Sequence, residues 1–186
     1  MFARLDVPAA LDEVVLPVIR HLGDGWEDDP QIIAREHFAS NAVRPRLMRL
    51  LRLSHGRRNG VVLAAAPETE EHDLGLLAAS VVAAHGGWTA HFLGYRTPTA
   101  AITKAADTAG PDVVLLGAVR REAGRRILAE LHGFAGAIVF GGAGFHPDDM
   151  DGHPMWVVHR GPMRDLPDTL EAALTAAGAN WRTGVT

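Results

Sequence analysis

Cysteine is missing from this 186-residue chain, which excludes disulfide staples and thiolate metal sites alike. Ten histidines are left as the soft nitrogen ligands. An excess of positive charge is missing too. A formal charge of −4 speaks against a general nucleic-acid binder, since phosphate contacts need a basic surface. No apolar run approaches the roughly 18 residues of a membrane span. The start, Met1-Phe2-Ala3-Arg4-Leu5-Asp6, lacks a charged, apolar and cleavable signal pattern. A cytoplasmic protein with no direct nucleic-acid or membrane contact is expected. What is present is ordinary: 47% apolar and 22% charged residues, enough for a normal core in one domain, or one domain with a small appendage.

Two patterns divide the chain. From about residue 6 to 55 it reads as helices: Leu11, Val14, Val15, Val18 and Leu22 recur at helical spacing before Gly23 and Gly25. Asp28-Asp29-Pro30 offers an acidic N-cap with proline at the first helical position. The helix-favouring stretch Gln31 to Leu53 follows, with a kink predicted at Pro45 because it lacks an amide hydrogen. From Asn59 onward short apolar segments (Gly60 to Ala66, Thr89 to Leu93, Val113 to Val119, Ala137 to Phe140, Trp156 to His159) alternate with helical ones. The latter are Leu74 to His85, Pro98 to Thr108, Glu122 to His132 and Leu166 to Ala177. Apolar strands joined by helices predict an α/β fold, a five-stranded doubly wound parallel sheet behind a small helical cap.

Such a sheet binds ligands beyond the carboxyl ends of its strands, where strand order reverses. The loops after the first strand (Pro67 to His72) and the third (Ala118 to Arg121) are expected to flank that crevice. Glu70-Glu71-His72-Asp73-Leu74-Gly75 lies there. A loop histidine is by itself commonly a solvated side chain, but a carboxylate two residues earlier suits a metal-bound imidazole, whose second nitrogen usually bonds to one. Gly75 lets a bulky group approach the helix start. Gly117 ends the third strand and Gly141-Gly142 follow the fourth. Gly142-x-Gly144 is no dinucleotide fingerprint, since that follows the first strand and continues to a third glycine. A Walker phosphate loop is absent.

Together these residues resemble the cobalamin-binding domain marked by an acidic residue, any residue, histidine, two residues, glycine. The resemblance implies a flavodoxin-like Rossmann fold and a cobalamin whose own base is displaced. It makes His72 the lower cobalt ligand, Glu70 its hydrogen-bond partner, and Gly75, Gly141 and Gly142 the lining of the tail channel. Asp73 and Gly117 are also counted as cofactor-contacting, Gly117 standing where that family commonly has serine. In the helical part, Trp26, nine intervening residues, then Glu36-His37 is similar to the signature of the CarH/LitR adenosylcobalamin photoreceptors. Trp26, Glu36 and His37 are implied to sit over the upper face of the cofactor. The implied division is residues 1–57 as a helical cap over that face and 58–186 as the cobalamin-binding unit.

The chain departs from those photoreceptors at Glu27, where a histidine takes the upper cobalt position after illumination, and in lacking room for a DNA-binding domain and a full four-helix bundle. A homodimer through the shortened cap is therefore expected, with a downstream protein partner of unknown kind. Stand-alone relatives called photocobilins, similar in outline, add a linear tetrapyrrole such as biliverdin. Arg44, Arg46, Arg49, Arg52, Arg57 and Arg58 read as a solvated face or as partners for its propionates. His146-Pro147-Asp148-Asp149-Met150-Asp151-Gly152-His153 has metal-like chemistry but reads as a surface turn. The leading expectation is a non-enzymatic, light-responsive adenosylcobalamin sensor. The alternative is a corrinoid carrier module of a methyltransferase.

Overall fold

The computed structural model describes residues 6–23, 30–54 and 60–178. Five strands, β1 (Val61–Pro67), β2 (Thr89–Thr97), β3 (Val113–Gly117), β4 (Ile138–Gly141) and β5 (Trp156–Val158), form one sheet in the order β2-β1-β3-β4-β5. Every pairing is parallel. The chain runs outward from β1 to β2, returns, and continues from β3 to β5, so the order reverses between β1 and β3. The doubly wound α/β sheet predicted from the alternating pattern is the observed one.

Burial explains the apolar strands. Val62, Ala64 and Ala66 of β1 face one core, and Leu63 and Ala65 face the other. The first core is covered by α4 (Leu74–His85) and α7 (Leu166–Ala177), the second by α5 (Thr99–Ala109) and α6 (Arg121–Glu130). Ten of the twelve residues of α4 are buried, so this helix must be covered on its outer side as well. The N-terminal helices do this: Leu11, Leu16 and Leu47 join the same core as Leu74 and Leu77.

Those helices are α1 (Val7–Ala10), a π turn (Leu11–Val15), α2 (Leu16–Gly23) and α3 (Pro30–Leu53). The wider turn, absent from the sequence expectation, spaces Leu11 and Leu16 so that both are buried although five residues apart. Asp12 reaches back from this turn and accepts from the amides of Met163 and Arg164, at 2.7 and 3.0 Å. The helix α3 continues through Pro45, which is exposed. Among the described residues no helix is long and apolar enough to cross a membrane.

The largest departure from expectation is β2, which runs four residues past Leu93 to Thr97. The pairing with β1 shifts between Ala64 and Ala65, with Gly94 (φ +92°) and Arg96 (φ +52°) in left-handed conformations. A bulged, irregular edge discourages further strand addition.

Candidate functional site

The β1–α4 loop folds around one carboxylate. Glu70 is fully buried, and its Oε1 accepts from the Glu71 amide (3.0 Å), the His72 amide (2.9 Å) and bonds to His72 Nδ1 (2.7 Å). Its Oε2 accepts from the amides of Val119 (2.8 Å) and Arg120 (3.0 Å) in the β3–α6 loop. The carboxylate thus ties together the two loops that flank the reversal of strand order. Burial pushes the Glu70 carboxyl up, but the hydrogen bonds from His72 and the loop amides outweigh it and hold the group at about 2, below its ordinary 4.5. An ionised carboxylate survives there because every hydrogen bond it accepts favours the charged form.

His72 is held by that carboxylate. With Nδ1 engaged, Nε2 lies on the side of the ring turned away from Glu70, and the side chain is 43% exposed. The hydrogen bond to Glu70 raises the imidazole above its ordinary 6.5, against the effect of burial, and the Glu36 charge adds to the rise. A carboxylate-backed imidazole is the arrangement in which histidine becomes a better metal ligand, its tautomer and ring orientation both set.

The glycines fall beside it. Gly117 and Gly141 are register partners at the ends of β3 and β4. A Cβ on Gly75 or Gly141 would meet nothing within 4 Å, whereas one on Gly117 would crowd Leu76 at 3.1 Å. Gly142 adopts φ +95°, and a Cβ there would strike the Ala118 carbonyl, so only glycine fits this turn. At Gly75 and Gly141 the backbone borders open space.

From the helical side, Glu36 accepts from Ser40 Oγ one turn on, and its other oxygen lies 3.8 Å from His37 Nε2. His37 and Phe38 are exposed. Trp26 and Glu27 lie outside the described residues, as do Arg57 and Arg58. Asp73, next to His72, is buried, and both its oxygens are engaged by Arg44: Nη1–Oδ2 2.8 Å and Nη2–Oδ1 2.6 Å. Arg44 is thereby an internal partner, not part of a solvated face. Nothing local in the sequence signals this partner 29 residues away. Arg120 donates to the Thr69 carbonyl, and Arg96 pairs with Glu71 at 3.2 Å, closing the loop from both sides.

The His146–His153 segment consumes its own donors. Asp149 is paired with Arg121 (Nη2–Oδ1 2.6 Å) and accepts from the His146 amide. His146 Nδ1 accepts from the Asp148 amide, and His153 stacks on Trp156 at 3.8 Å. Among the described residues no group of three or more His, Cys, Asp or Glu could hold a metal ion on its own.

Comparison with known proteins adds to this geometry. No protein-family model matches the chain. Over 120 residues, 64% of the chain, it is 38% identical to the HTH-type transcriptional repressor CarH of Myxococcus xanthus, and it spans 40% of that protein's length. By fold it is similar to the Methanosarcina barkeri monomethylamine corrinoid protein (TM-score 0.64, 15% identity, 92% of this chain and 85% of that one). It is also similar to the methanol:cobalamin methyltransferase complex MtaBC of the same organism (TM-score 0.56, 17% identity, 90% and 68%). The resemblance to CarH-type proteins is met in sequence, and the fold is one shared with corrinoid proteins.

Proposed function

We propose that the chain binds a cobalamin with its own base displaced, His72 Nε2 serving as the lower cobalt ligand, and that it acts as a light-responsive sensor. The observation that carries the ligation is the buried Glu70 carboxylate gripping His72 Nδ1 at 2.7 Å on the sheet edge. The residues fit the group. One carboxylate-backed imidazole supplies one ligand, and a metal whose equatorial positions are filled by a macrocycle asks no more of a protein. At Gly75 and Gly141 no side chain stands in the way, and an added carbon there would meet nothing within 4 Å. Adenosylcobalamin, when bound, supplies a cobalt–carbon bond that light can break.

The chain's own residues do the rest. Glu70 fixes the imidazole. Glu36, to which Ser40 donates, would accept hydrogen bonds from ribose hydroxyls. Release of an upper group bridging cap and sheet unit would remove its binding energy from one packing arrangement and shift the population toward another. A homodimer belongs to this reading, since Val18, Phe38 and Leu53 of the N-terminal helices are exposed apolar side chains. A bilin beside the corrinoid would draw on the exposed Arg49 and Arg52, because Arg44 is committed to Asp73. A red-absorbing band on adding biliverdin tests that part, and no band removes it.

The decisive test is reconstitution of the full chain with adenosylcobalamin in darkness, recording absorption and molecular mass before and after blue or green light. The expected result is a bound, base-displaced spectrum that changes irreversibly on illumination together with a change in mass. His72→Ala that keeps the same colour and retention overturns the ligation. The fold shared with corrinoid proteins of methyltransferase systems favours a second reading, a corrinoid carrier. Dark methyl transfer with a partner enzyme, and no light response, selects it.

A further inference from the structure

Only the downstream half of α3 enters the core. Leu47 is buried and Val43, Met48, Leu50 and Leu51 pack against the α4 side, while upstream Gln31, Ala34, Arg35, His37, Phe38 and Asn41 are exposed. Arg44 stands where the helix leaves that core. Its fork closes on Asp73 in two hydrogen bonds of 2.8 and 2.6 Å, and the Tyr95 ring lies 5.9 Å away on β2. A paired fork fixes orientation as well as distance. Asp73 is buried, adjoins His72 and occupies the N-cap position of α4, yet its side chain makes no capping bond. Aspartate is among the best N-caps, so the carboxylate is given over to Arg44. Without that guanidinium it would be an uncompensated buried charge.

Glu36, Ser40 and Arg44 are spaced four apart and share one stripe of the helix. Glu36 is two turns, about 12 Å, along the axis from Arg44. A tilt of about 10° pivoting at Arg44 would displace Glu36 by about 2 Å on that helical geometry, a full hydrogen-bond mismatch.

We propose that Arg44 is a positioning residue: its bridge to Asp73 sets the height and tilt of α3 over His72 and so, through Glu36, selects the upper group of the corrinoid. The ligand half of this inference rests on the cobalamin reading; the clamp half does not. The test uses the full chain as wild type, Arg44→Met, Arg44→Lys and the double variant Arg44→Met/Asp73→Leu. One readout is amide exchange across residues 30–43 without ligand. The other is the ratio of dark affinities for adenosylcobalamin and hydroxocobalamin.

Arg44→Met is expected to speed exchange in 30–43 about ten-fold while the interior of α4 is unchanged. It should lower the adenosyl-to-hydroxo ratio about ten-fold, with hydroxocobalamin affinity kept within about two-fold. Arg44→Lys, which keeps the charge but loses the fork, should fall between. Unchanged exchange overturns the clamp. Faster exchange with an unchanged ratio overturns the selecting role. If Arg44→Met fails to fold by circular dichroism, the double variant, which strands no buried charge, decides by the same readouts. If the wild type binds neither corrinoid, the cobalamin reading fails, and exchange alone decides the clamp.

Discussion

Two loops at the same edge of the sheet set histidine beside acid, and they use them in opposite ways. In the loop after β1, the carboxylate is buried and satisfied by backbone amides from two loops, which leaves it to orient an outward imidazole. In the loop after β4, Asp149 is spent on Arg121 and the His146 amide, and the imidazoles are absorbed in a turn and a stack on Trp156. What differs most is the direction of burial. An imidazole is presented where the acid goes inward and the base outward, and a turn forms where both stay at the surface.

The contrast can be broken most forcefully at Glu70. Glu70→Ala should lower corrinoid affinity about 100-fold, the upper end for a lost metal-ligand partner. It should also reduce unfolding free energy by on the order of 3 kcal/mol, because it strands buried amides; a urea titration beside a spectroscopic binding curve measures both. Glu70→Gln, which keeps acceptor capacity but not charge, should cost affinity about ten-fold.

A pH series sharpens the same comparison. Under the proposed ligation a proton would compete with cobalt for His72, and because the imidazole is raised above 6.5, affinity should be full at alkaline pH and begin to fall above pH 6.5 as acid is added. Without ligand, Glu70 is lowered from 4.5 to about 2, so its stabilisation is present above pH 4.5 and lost as pH falls toward 2. Glu70→Gln should flatten that loss, and urea midpoints at stepped pH would reveal it. The smallest effects belong to the other loop. Asp149→Ala should cost about 1 kcal/mol of stability, and neither it nor His146→Ala should shift corrinoid affinity beyond about two-fold. A ten-fold loss with His146→Ala would erase the distinction between the loops.

Much of this was legible in the residues. The helices read as Leu74 to His85 and Leu166 to Ala177 are found at those limits. The reversal of strand order and its flanking loops followed from alternating apolar segments, and the Glu70–His72 contact from a spacing of two. Other features depend on distant chain. The amides of Val119 and Arg120 meet Glu70 across 49 and 50 residues, and Arg44 meets Asp73 across 29. No periodicity encodes such pairings. The extension of β2 past Leu93 was missed, and Gly94 there lies within a bulge that carries the strand on to Thr97.

The burial of α4 on nearly every side has a practical corollary. The sheet unit is no freestanding module to be grafted elsewhere: cut at residue 54, it would bare a greasy cylinder lying directly behind the histidine loop. Any chimera, truncation or transplant must bring a replacement sheath for that helix, or the imidazole will be lost to aggregation before chemistry is asked of it.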